Sequence, residues 1–193
     1  MPKSNLKITA PLRGALLECF RATTRLVRPG LRRQLVLHTE DVDVAAPPDV
    51  LSDIVRRVLD GAPSFSLESD GKIAFDAPQG FRVRIDLIQV GGGCIDKIYA
   101  TRPLFGASVA SKSDLLRLRA VTVVERESDG EVDDFRWLLA ETAREGQVLP
   151  ELDKEDLEYV TGAGACLGEL DRLVLVAVLG ANNGAAALRL LGL

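Results

Sequence analysis

Histidine, cysteine and net positive charge are all scarce in this chain of 193 residues. A single histidine, His38, excludes any mechanism that needs several imidazoles. The three cysteines, Cys19, Cys94 and Cys166, are odd in number, far apart and without CxxC spacing. That argues against a disulfide framework or a zinc site and for a reducing compartment. Basic residues number 24 against 28 acidic ones, a formal net charge of −4. A surface built to grip an extended nucleic acid needs a clear basic excess, so that partner is not expected. A long apolar run is missing as well. Residues 1–11 lack the apolar core of a secretory signal. The run from Leu173 to Leu193 is broken by Asn182, Asn183, Gly184 and Arg189, leaving about half of what a bilayer needs. These absences point to a cytoplasmic protein with no membrane segment.

What remains is ordinary globular material, 47% hydrophobic and 27% charged. At about 150 residues per domain, the length suits one compact domain with an appendage. The first 28 residues carry six basic side chains against the lone Glu18, a bias shared by transit peptides. Leu12, Leu16, Leu17, Phe20 and Leu26 fall near helical spacing, which fits an amphipathic helix better. Arg28-Pro29-Gly30 ends that helix. From Gln34 to Val90 the pattern is strand-like: Gln34–Leu37, Asp41–Val44, then Lys72–Asp76 and Phe81–Val90 as a hairpin around Ala77-Pro78-Gln79-Gly80. One helix interrupts it, opened by Pro47-Pro48-Asp49 and closed by Asp60-Gly61. From Ser111 the chain turns helical, with Ser111 or Ser113 as a cap, a loop at Asp129-Gly130, a helix over Asp133–Ala143 containing Trp137 as a core residue, and a buried helix over Leu170–Leu179. The expected class is α/β or α+β: a small mixed sheet of about three or four strands flanked by helices, with a helical C-terminal half. The division falls into a sheet domain, residues 1–108, and a helical region, residues 109–193, whose apolar end at Leu188–Leu193 suits a homodimer contact.

The chemistry is concentrated in His38-Thr39-Glu40-Asp41-Val42-Asp43-Val44. Residues i and i+2 of a strand share a face, so Asp41 and Asp43 lie together and repel unless a cation neutralises them. Hard divalent ions such as Mg2+ take oxygen ligands and keep several waters, which suits an Asp-x-Asp pair. In Phe81–Leu87 the alternation puts Phe81, Val83, Ile85 and Leu87 on one face and Arg82, Arg84 and Asp86 on the other. A mid-strand aspartate runs against propensity. Either Asp86 joins Asp41 and Asp43 around a metal, or it pairs with Arg82 or Arg84 along its own strand.

The strand Leu37–Val44, the helix after it and Arg84-Ile85-Asp86-Leu87 resemble the nucleotidyltransferase superfamily with the DNA polymerase β-like fold. The nearest flavour is the small stand-alone members related to abortive-infection toxins and to uncharacterised fungal proteins. Val109–Leu116, Arg119, Arg126 and Asp133-Asp134-Phe135 also look like the helical part of such proteins, so the resemblance covers residues 12–145. It implies Mg2+ or Mn2+ held by Asp41, Asp43 and Asp86, with Asp86 also activating the incoming hydroxyl. It further implies transfer of a nucleoside monophosphate from an NTP to a small-molecule or protein hydroxyl. Members carry a Gly-Ser or Gly-Gly loop for the triphosphate. Here that region reads Arg28-Pro29-Gly30-Leu31-Arg32-Arg33, with Leu31 at the hydroxyl position, so Gly30, Arg32 and Arg33 are the phosphate-binding candidates. Lys112 is a further phosphate contact or a solvated charge at a helix start, and His38 a base, a substrate contact or a structural residue. The departure at Leu31 keeps a second function open: the same fold reused by a metal-independent small-molecule enzyme or as a catalytically silent binding module.

Overall fold

A computed structural model describes residues 8–37, 42–92, 95–184, 188 and 192. The chain divides into two compact units, Asn5–Ala110 and Ser111–Leu193. The class is α+β: a mixed sheet with helices, followed by a helical C-terminal half.

The first unit opens with α1 (Ala10–Leu26), whose Thr9 side chain accepts the Leu12 backbone N–H. Its buried face is Ala15, Cys19, Phe20, Thr23 and Thr24, while Leu17 is 39% exposed, so the packing stripe is turned away from part of the leucine pattern. The two threonines sit inside because their hydroxyls donate to the Cys19 and Phe20 carbonyls one turn back. Burial pushes the Cys19 thiol up to about 12, so it serves as a small apolar filler. A 3-10 turn over Pro29–Gln34 follows. Then come β1 (Val36–Leu37), β2 (Val42–Ala46), α2 (Pro48–Leu59), β3 (Phe65–Leu67), β4 (Ile73–Asp76), β5 (Arg82–Gln89), β6 (Thr101–Leu104) and β7 (Ala107–Ala110).

These form one sheet of seven strands in the order β3-β4-β5-β2-β1-β7-β6, larger than the three or four strands expected. The additional strands are short. β3 has three residues, and β6 carries Pro103, which lacks a ladder donor and is tolerated because β6 lies at the sheet edge. The central pairing of β2 with β5 is parallel, as is β1 with β7, and the other neighbours are antiparallel. The β4–β5 hairpin turns at Ala77–Gly80, where the positive φ of 81° at Gly80 calls for glycine. One face of the sheet packs Val42, Val44, Ile73, Phe75, Val83 and Ile85 against Phe20, Val50 and Ile54 of α1 and α2. The opposite face carries Arg82, Arg84 and Asp86 of β5.

The second unit holds α3 (Lys112–Arg126), α4 (Asp129–Arg144), α5 (Lys154–Ala165) and α6 (Glu169–Leu179). Ser111, Ser128 and Asp153 cap the first three, each accepting the backbone N–H three residues on. Ser128 therefore starts α4 four residues earlier than expected. Gly130 belongs to its first turn, where a glycine interrupts little. Trp137 is 55% exposed rather than core, and α6 buries Leu175, Val178 and Leu179 while Leu170 and Leu173 face outward. Asn183 closes the end of α6: its amide donates to the Leu179 and Pro150 carbonyls and its carbonyl accepts the Leu152 N–H.

Candidate functional site

Strand alternation alone decides where the two described aspartates point. In β2, Val42 and Val44 go to the core, so Asp43 faces the other way. In β5, Val83 and Ile85 go to the core, so Arg82, Arg84 and Asp86 share the opposite face. The parallel register aligns Val42 with Ile85, Asp43 with Asp86 and Val44 with Leu87. The two aspartates are thus register partners on adjacent strands, whose backbones lie about 4.8 Å apart in a sheet. Both are part-exposed. Asp41 and His38, between β1 and β2, lie outside the described residues.

Asp86 does not pair with Arg82 or Arg84. Those guanidiniums are taken by acids of the neighbouring strands and their ends: Arg82 by Asp76 at 2.7 Å and Glu68 at 3.2 Å, Arg84 by Glu68 at 3.0 Å and by Asp70. Asp76 and then Glu68 raise the Arg82 pKa, and the Lys72 backbone N–H followed by the Arg84 guanidinium holds Asp70 below the usual carboxylate range. The partner of Asp86 is Lys72, with Nζ 2.7 Å from Oδ1 and side chains 45% and 46% exposed. Ile73 opposes Ile85 in the hairpin, so the residue before it falls opposite Asp86. Across the sheet the order is therefore Lys72, Asp86, Asp43.

The remaining candidates are placed elsewhere. Gly30, Arg32 and Arg33 lie in the 3-10 turn, which packs against α1, α2 and β7. The hydrophobic faces of α1 and α2 cover the side of the sheet opposite Asp43 and Asp86. The turn leads into strand β1, not into a helix. Its polar groups serve the fold. Arg32 Nε donates to the Val27 carbonyl at 3.0 Å and the Arg33 carbonyl accepts from Ser108 at 3.2 Å. Arg28 Nε lies 2.7 Å from the buried Asp53, whose carboxyl it holds below the usual range against the opposing effect of burial. Lys112 belongs to the helical unit, where Glu141 at 2.6 Å and Glu145 at 2.7 Å raise its pKa. The Leu188–Leu193 segment is described only at Leu188, 52% exposed, and at Gly192.

Among the described residues no group of three or more His, Cys, Asp or Glu is placed to hold a metal ion. Two carboxylates in register on a part-exposed face are hard oxygen donors of the kind Mg2+ or Mn2+ takes, and one of them, Asp86, is engaged by Lys72. Also among the described residues, no helix is long and apolar enough to cross a membrane. The class that fold and site define is an α+β protein with an acid pair at the centre of a seven-stranded mixed sheet. Compared with family models, characterised proteins and solved structures, the chain matches none of them.

Proposed function

We propose that the face shared by Asp43 and Asp86 is the divalent-cation site of a nucleotidyltransferase-like enzyme. The observation that carries this reading is the Asp43–Asp86 register on adjacent parallel strands. Like charges opposite one another destabilise a sheet, and a sequence keeps them there when something positive is to be held. Asp43 and Asp86 would hold the ion, and Asp41, outside the described residues, is the third carboxylate the sequence offers. When bound, the ion supplies charge neutralisation for the phosphates of an NTP. The residues' own part is orientation and proton transfer: Asp86 takes the proton of the acceptor hydroxyl as its oxygen bonds to the α-phosphorus and pyrophosphate leaves. The net charge of −4 favours a small-molecule or protein acceptor over a long nucleic acid.

The test is thermal stabilisation by NTP with Mg2+. At about 100 times its Kd, such a ligand adds about 2.7 kcal/mol to the folded state. The wild type should show a matching rise in Tm, and Asp43→Asn and Asp86→Asn should lose it. No shift at millimolar NTP with Mg2+ would overturn the transferase reading. A second reading is favoured by Lys72, which already supplies Asp86 with a positive partner, and by the turn at Gly30, which opens no helix. There the fold serves a metal-independent small-molecule enzyme or a silent binding module, and ligand binding persists in EDTA.

A further inference from the structure

We infer that Asn183 is a latent deamidation site, silenced by the fold, through which opening of the α6 end becomes a permanent change in the chain. The sequence there reads Asn182-Asn183-Gly184. Asparagine followed by glycine is the pairing most prone to this reaction, because glycine has no Cβ to hinder attack by its own backbone nitrogen. In the reaction Gly184 N gives its proton to water and bonds to Asn183 Cγ. The Cγ–Nδ2 bond breaks, and the nitrogen takes a proton from water and leaves as ammonia. A further water then opens the succinimide ring at either carbonyl, leaving aspartate or isoaspartate.

The fold occupies each group that this step needs. Asn183 is only 3% exposed. Its Nδ2, the leaving group, donates to the Leu179 and Pro150 carbonyls at 2.8 Å each, and its Oδ1 accepts the Leu152 N–H at 3.1 Å. The amide plane is pinned at three points and cannot turn its face to Gly184. The nucleophile is engaged as well: Gly184, in right-handed helical conformation, donates its N–H to the Ala181 carbonyl. Asn182 is exposed, but asparagine and not glycine follows it. When the end of α6 opens, these bonds go together and the reaction is released. Its product cannot close again as before. A carboxylate has no N–H for the Leu179 and Pro150 carbonyls, and a buried negative charge would face their oxygens. The remaining tie between α6 and residues 149–152 is the Leu149 N–H on the Val178 carbonyl at 2.8 Å, so deamidation loosens that join.

The test incubates the full-length chain at mildly alkaline pH, folded in buffer and unfolded in urea. Mass spectrometry then follows the tryptic peptide between Arg172 and Arg189, with fragmentation to locate the added mass. Asn183 should deamidate about a hundredfold more slowly in the folded chain, the order that three buried hydrogen bonds give to closure. Among the described residues nothing lies within 4 Å of where a Cβ on Gly184 would stand, so Gly184→Ala should keep the fold and slow the reaction in urea. Deamidated wild type, refolded, should exchange its Leu149 and Leu152 amides at least about tenfold faster than untreated protein. Gly184→Ala carried through the same urea treatment should not. Equal deamidation of Asn183 in the folded and unfolded chain would overturn the silencing. A deamidated chain that protects both amides as well as the untreated one would overturn the permanence.

Discussion

Two ion pairs in this protein have the same length and opposite surroundings. In the sheet unit Lys72 meets Asp86 at 2.7 Å with both side chains nearly half exposed. In the helical unit Arg117 of α3 meets Asp156 of α5 at 2.7 Å with side chains 5% and 11% exposed, and Asp114, fully buried, lies 3.7 Å from the same guanidinium. Distance therefore says little about what a pair does. The buried pair ties two helices, and opening it strands charges in a medium that cannot solvate them. The exposed pair can trade its partner for water or for another ion at small cost. One is part of the framework and the other is open to solvent.

The largest expected effect breaks the buried member. Arg117→Met removes the guanidinium that Asp114 and Asp156 share and should cost about 3–5 kcal/mol, read from the shift in urea unfolding. A cost as small as that of an exposed pair would erase the contrast. The next sharpens the comparison within the helical unit, where Glu141 sits between Arg144 and Lys112 at the surface. Arg144 first and Lys112 second hold its carboxyl at about 2, below the ordinary 4.5. A depressed carboxylate contributes its stability above the ordinary value and loses it as pH falls towards the folded value. Unfolding measured from about pH 5 down to pH 2 should show the wild type losing that increment while Glu141→Gln does not. An identical acid dependence in the two proteins would contradict the assignment. The smallest effect belongs to the exposed pair: Lys72→Gln should change stability by less than about 1 kcal/mol in the same urea experiment.

Much of this layout can be read from the chain itself. Alternation in Phe81–Leu87 puts Asp86 with Arg82 and Arg84 on one face, and the structure agrees because strand periodicity is local. The position of Lys72 is legible too, by counting back from the Ala77–Gly80 turn: if Asp76 opposes Arg82, then Lys72 opposes Asp86. The strand alternation alone leaves Arg82 and Arg84 as rivals for Asp86, because the acids that claim them lie on other segments: Asp76 on the facing strand β4, and Glu68 and Asp70 just beyond the end of β3. The Asp43–Asp86 alignment depends on a parallel pairing between strands far apart in the chain, which no local pattern encodes. The same limit hid β6 and β7, short strands around Pro103 and Gly106. At Trp137 and at the start of α4 the reading failed for a different reason. An aromatic beside Phe135 and Leu138 suggests core, and Asp129-Gly130 suggests a loop. The Ser128 cap and the helix's actual buried face, Phe135, Leu138 and Leu139, decide otherwise.

The central claim, a cation held between Asp43 and Asp86, is tested most directly by paramagnetic broadening of backbone amide signals with Mn2+ at low stoichiometry. The account predicts that the signals of Lys72, Asp43, Asp86 and their sheet neighbours vanish first, and that excess Mg2+ restores them. Broadening centred on the Glu141–Glu145 cluster, or spread evenly over the acidic surface, would contradict it.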